Sequence, residues 1–151
     1  VATGQDRRRT SGGTEEEVSN TGAQTNFGQT WSCATDVTMP CVWVTGNTAV
    51  AQMLLHRFIT PRGGLLSDPN FGLCLIDYLN SPLTSDQLTL LAQQCNAEAV
   101  KDERVLSASF VLTFVSGTLT VSGTVQTANG PFQLVLAVGT AVQALIQVTP
   151  A

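Results

Sequence analysis

Charge is the scarcest property of this 151-residue chain: Asp, Glu, Lys and Arg together make up 12%, about half of the ~25% usual in a soluble domain. The shortage is uneven, since no charged residue occurs from Val105 to Ala151. A formal net charge of -4 excludes the strongly basic surface that nonspecific binding to nucleic acid or anionic membrane requires. Neither is an expected partner. Long hydrophobic runs are missing as well. The longest apolar stretch, Phe132 to Val148, is interrupted by Gln133, Gln143 and Gln147 and alternates like a strand, so no transmembrane helix is expected. The opening, VATGQDRRRT, has basic residues with no apolar run behind them, so no secretory signal is read and folding in a cytoplasm is expected.

The parts of most catalytic and metal sites are also absent. The single histidine, His56, lies on the polar stripe of a helical segment with no carboxylate or thiol at a useful offset, and reads as solvated. Cys33, Cys41, Cys74 and Cys95 form no Cys-x-x-Cys pair of the kind that binds zinc. Without a secretory signal they are expected to be reduced and buried as small hydrophobes. No glycine-rich phosphate loop and no nucleophile elbow occurs. The expectation is a protein without catalytic residues, cofactor or metal. Asp68 and Asp77, near a glycine-rich loop, are the one candidate acid/base pair for sugar hydrolysis. Their plainer reading is a turn residue before Pro69 and an exposed position on a short helical segment.

What is present divides in two. Residues 1–30 are polar and small, with Arg7-Arg8-Arg9 opposed by Glu15-Glu16-Glu17, and read as a flexible arm that docks on a neighbour. Residues 31–151 read as one domain, large enough for a single core. Trp31 to Val44 suggests extended pieces lying on the main fold. Asn47 to Ile59 places Val50, Leu54 and Phe58 on one helical face and Gln52 and His56 on another, and Thr60-Pro61-Arg62-Gly63-Gly64 ends it. A second helix starts at Thr84, which has capping-box spacing to Gln87, and carries Leu88, Leu91, Cys95 and Ala99 on one stripe. After Arg104 the period falls to two. Leu106, Ala108, Phe110, Leu112 and Phe114 begin a first strand; Leu119, Val121 and Val125 mark a second. Phe132, Leu134, Leu136 and Val138 mark a third, and Val142, Ala144, Ile146 and Val148 a fourth. Ser116-Gly117 and Asn129-Gly130 supply tight turns. The predicted fold is α+β: two helices packed on one face of a four-stranded antiparallel β-meander, preceded by an extended arm.

The meander's two outer strands have no lysine or other charge to deter pairing with another chain. A subunit whose sheet is completed by a strand from a neighbour is the functional reading of that absence.

Three pieces of sequence resemble one family. Leu55-His56-Arg57-Phe58-Ile59-Thr60-Pro61-Arg62-Gly63-Gly64-Leu65, Asp68-Pro69-Asn70-Phe71-Gly72 and Asp77-Tyr78-Leu79 are similar to the contractile-tail phage baseplate protein W family of wedge or sheath-initiator proteins. The later helix, Lys101 to Val105 and the terminal meander follow in the same order, so the resemblance spans Asn47 to Val148. It implies a noncatalytic virion component of the tail baseplate, made in the host cytoplasm. It further implies a ring of roughly six copies around the tail tube or hub, contacts to wedge subunits, and nucleation of the tail sheath. Many members carry Glu-Pro-Arg before the first strand. Asp102-Glu103-Arg104 occupies that place here without the proline, which implies a partner contact by Asp102 and Arg104. Arg62 and Gly63 of the turn, and Val142, Ala144, Ile146 and Val148 of the last strand, complete the expected contact set. Replacing Arg62 or Arg104 by Ala is expected to impair assembly with little change in melting temperature. The alternatives are a small tail-lysozyme-type hydrolase using Asp68 and Asp77, and a free-standing module that binds a peptide strand.

Overall fold

The computed structural model describes residues 27–32, 42–140 and 143–151, the backbone alone for 143–146. A short hairpin pairs β1 (Gln29–Trp31) with β2 (Trp43–Thr45), and Trp31 stands opposite Trp43 with the rings 5.8 Å apart. These are the extended pieces expected before the first helix. Phe27, within the range read as an arm, is buried; residues 1–26 of that range lie outside the described residues.

Helix α1 (Gly46–Ile59) ends as expected where Thr60, extended before Pro61, turns its Oγ1 and N–H back onto the carbonyl of His56. Val50, Leu54 and Phe58 are fully buried. Gln52, read as a polar-stripe residue, is also buried, and His56 is half-buried rather than solvated. The helix touches both strand layers, a 3-10 helix (Leu75–Asn80) and α2, so two sides of it are enclosed and a one-face reading was too narrow. Helix α2 (Ser85–Ala99) has the expected capping box: Gln87 N–H donates to Thr84 Oγ1, and Thr84 N–H donates to Gln87 Oε1 at 2.9 Å.

Strands β3 (Val105–Val115), β4 (Thr118–Thr127), β5 (Gly130–Gly139) and β6 (Gln143–Pro150) form one antiparallel sheet in sequence order. Ser116 and Gly117 both take left-handed backbone, φ 51° and 77°, which suits a two-residue hairpin to the twist of the strands. One face of the sheet is the core: Phe110, Leu112, Leu119, Val121, Val125, Phe132, Leu134, Leu136 and Val138 are buried. Gly123 lies directly opposite Phe110. The missing side chain leaves room for the Phe110 ring, which meets Phe58 of α1 edge-on at 5.5 Å.

Two bulges correct the strict alternation read from the sequence. Val105 pairs with Thr127 and Ser107 with Gln126, so Leu106 is an extra residue; it is exposed, and Val105 takes the core position. In β6, Gln147 pairs with Val135 and Leu145 with Leu136, which makes Ile146 the extra residue. Ala144, Ile146 and Val148 therefore do not form one face. Val142 lies outside the described residues.

Candidate functional site

The two motif loops and the end of α2 meet at one carboxylate. Glu98 is buried to 1% exposure. Its Oε1 accepts from Arg57 at 3.2 Å and from the Gly72 N–H at 3.1 Å; its Oε2 accepts from Arg62 at 3.1 Å and from Lys101 at 2.6 Å. The Arg57 guanidinium also lies over the Phe71 ring, 4.4 Å from its centroid. Arg62 Nε donates to the Gly72 carbonyl and Lys101 Nζ to the Asn70 carbonyl. The loop between them is thereby fastened to α2 at several points. It also closes α1, because Leu73 and Cys74 donate their N–H groups to the carbonyls of Arg57 and Thr60. Gly72 is required at the closest approach: at φ 103° a Cβ there would stand 2.3 Å from the Thr60 carbonyl oxygen.

A second pair sits beside this one. Asp102, buried, accepts from Arg104 Nε at 2.8 Å and from its NH2 at 2.6 Å, and Arg104 NH1 reaches the Phe27 carbonyl at 3.3 Å. The fork geometry and an Arg104 side chain only 20% exposed set it apart from a loose surface ion pair. Arg62 and Arg104 thus both serve the fold. Replacing either by Ala is expected to lower the melting temperature, against the sequence expectation of little change. Gly63 is exposed at φ 80° in the turn closed by the Gly64 N–H on the Pro61 carbonyl.

Burial pushes the Glu98 carboxyl up, but hydrogen bonds from Lys101, the Gly72 N–H and Arg57 outweigh it and hold the group below the usual carboxylate range. The same balance, with Arg104 as donor, holds Asp102 down. Carboxyls depressed in the folded state stabilise it above their unfolded values of about 4, and that contribution is lost as pH falls through the folded values. Urea midpoints measured between pH 7 and pH 3 should stay level at first and then fall below about pH 4. A midpoint that rises toward pH 3 would show that the two carboxyls are not held as described.

Asp68 and Asp77 are both exposed, and Asp68 Oδ1 accepts from the Asn70 N–H within its own turn, as the plainer reading had it. Among the described residues no group of His, Cys, Asp and Glu could hold a metal ion, and no helix is long and apolar enough to cross a membrane. Cys74 and Cys95 are free and buried; burial and the nearby Glu98 charge push the Cys95 thiol up to about 12. Cys33 and Cys41 lie outside the described residues.

The sheet edges differ. On β3 the Phe110 N–H donates outward to Asn96 Oδ1 of α2 at 2.8 Å, so the helix already occupies part of that row. On β6 the Ala151 N–H donates to the Pro131 carbonyl. By the alternation of an antiparallel ladder the N–H groups of Thr149 and Gln147 then face β5, and that of Val148 faces outward. Val148 packs its side chain against the core.

Sequence reasoning overlooked Glu98 and Arg57. Each had a signal: Glu98 falls seven positions after Leu91 and Arg57 seven after Val50, so each places a charge on an apolar helical stripe.

No family model matches this chain, and no curated protein matches it. Among solved structures, a crystal structure from Geobacter sulfurreducens, provisionally named a tail lysozyme, aligns with a TM-score of 0.54 at 19% identity, covering 62% of this chain and 89% of that one. The likeness is one of fold.

Proposed function

We propose that this protein is a noncatalytic structural subunit of a phage or phage-like tail baseplate, which joins the inner baseplate to wedge subunits and accepts a strand from the first sheath subunits. The observation that carries the reading is an outer strand, β6, with an outward backbone row and no charged residue anywhere in its sheet after Arg104. The fold shared with a protein provisionally named a tail lysozyme supports a tail setting, as does the sequence resemblance to baseplate protein W. Glu98 fastens the motif loops into a rigid corner on which Arg62 and Gly63 can meet a wedge subunit, while the charge-free sheet lies at the other end of the chain for the sheath.

Val148→Pro removes the outward N–H, whereas Val148→Ala removes packing and keeps it. In particles rebuilt with each variant, Pro should abolish sheath attachment while incorporation into the baseplate persists, and Ala should attach sheath. Equal sheath attachment by both variants would reject strand addition at β6. The neighbour's name favours a second reading, a cell-wall hydrolase. Asp68 and Asp77 are both exposed and offer it no enclosed acid/base pair. Purified protein is expected to release no sugar from peptidoglycan, and turnover that vanishes in Asp68→Asn or Asp77→Asn would promote the hydrolase.

A further inference from the structure

The free edge of β3 is only partly used. Phe110 turns its N–H to Asn96 Oδ1 of α2 at 2.8 Å. Residues of an antiparallel strand alternate between the partner strand and the edge, so Leu112 and Phe114 turn both N–H and C=O the same way as Phe110. Among the described residues no hydrogen bond is made to those outward groups of Leu112 and Phe114. The Asn96 amide oxygen stands where the carbonyl of a neighbouring strand would stand, so the row already takes an amide acceptor from outside the sheet. Beyond Asn96, helix and strand border a cleft of about 340 Å³, with Leu88, Thr89 and Ala92 on the helix side and Val111 and Leu112 on the strand side. No charged residue lines it. Leu88 and Ala92 are half-buried and Thr89 is exposed, which gives an apolar wall beside a polar backbone row.

We infer that this groove takes an extended, uncharged peptide segment of a partner protein, which adds to β3 as a further antiparallel strand and is selected by α2. The complementarity is one of partial charges. From the Phe110 C=O to the Phe114 C=O the outward groups alternate acceptor and donor, and another antiparallel backbone presents the reverse order at the same spacing. An acidic or basic segment gains nothing here, because no charge lines the cleft to answer it. Residues directly opposite each other in a sheet share a face. A partner residue opposite Leu112 therefore points toward Leu88 and Ala92, where an aliphatic side chain fits. Its neighbours fall on the outer face beside Val111 and Thr113, both exposed, and there small polar or β-branched side chains suffice. The ligand class is a segment of alternating aliphatic and small polar residues. The inference is independent of the baseplate reading and of β6, which forms the opposite edge of the sheet.

The probe is the peptide acetyl-Thr-Leu-Thr-Val-Thr-amide, titrated into ¹⁵N-labelled full-length protein. The amide resonances of Leu112 and Phe114 should move while that of Val148 stays. Methylating the backbone nitrogens of the peptide's Leu and Val, whose N–H groups face β3 in the antiparallel register, should weaken binding about tenfold or more. Methylating the central Thr nitrogen, whose N–H faces away, should change it by less than about twofold. In the protein, Thr89→Trp fills the groove from an exposed helix position. It should weaken binding about tenfold or more, with the melting temperature within about 2 °C of the unaltered chain; the methylated peptides test the same groove with no change to the protein. Unmoved Leu112 and Phe114 resonances at about 5 mM peptide, above the ~1 mM Kd of a weak complex, would overturn the inference. So would movement at Val148 alone, equal binding by the two methylated peptides, or full binding by Thr89→Trp.

Discussion

Glu98→Gln should lower the stability of the domain by about 3–5 kcal/mol, because removing one partner of a buried ionic cluster leaves the others uncompensated. Arg57 is the residue left stranded: its side chain is 10% exposed, and Glu98 is its salt-bridge partner. Arg62 and Lys101 lose less, since water already reaches both. At about 2–4 °C per kcal/mol for a chain of this length, the melting temperature should fall on the order of 10 °C. The loss should be local as well as global, with faster hydrogen exchange at Gly72, whose N–H donates to Oε1. A change of less than about 2 °C would mean that packing of the two helices, and not the carboxylate, holds the loop.

Gly123→Ala should be more damaging still. A Cβ at that position would stand 2.1 Å from the Ser109 carbonyl oxygen and 2.8 Å from the Phe110 Cα. Both are backbone atoms of the paired strand, so no rotamer change relieves the overlap, and β3 must move off β4. Overpacking of this kind costs about 1–3 kcal/mol even where side chains can yield; here soluble folded protein should be lost or the urea midpoint sharply reduced. Gly117→Ala is the comparison. Its Cβ would meet nothing, and only its left-handed φ of 77° opposes it, for a cost of about 1–2 kcal/mol. If the two variants melt together, the close approach of β3 to Gly123 is wrong.

Both residues bear on what could be read in advance. Periods of 3.6 and 2, the capping box at Thr84 and the glycine turns are local properties, and the helices and the meander followed from them. Glu98 and Arg57 also left a trace, as charges on apolar stripes, but a stripe does not say which partner waits for the charge. Arg57 and Glu98 are 41 positions apart, and nothing in the periodicity of either helix links them. The bulges at Leu106 and Ile146 were invisible for a related reason: an extra residue is defined only against the partner strand, and Leu106 on its own looks like the first core residue of β3.

The sequence by itself determined the fold class, the order of elements and the charge-free sheet, because backbone propensity, turn chemistry and composition act between near neighbours. Only the tertiary structure decided which charges are buried together, that Asn96 covers part of the β3 edge while the Val148 N–H of β6 faces away from β5, and that Arg62 and Arg104 are held in internal ion pairs. Those facts depend on desolvation and on distances between segments far apart in the chain, and such energies have no value until the segments meet.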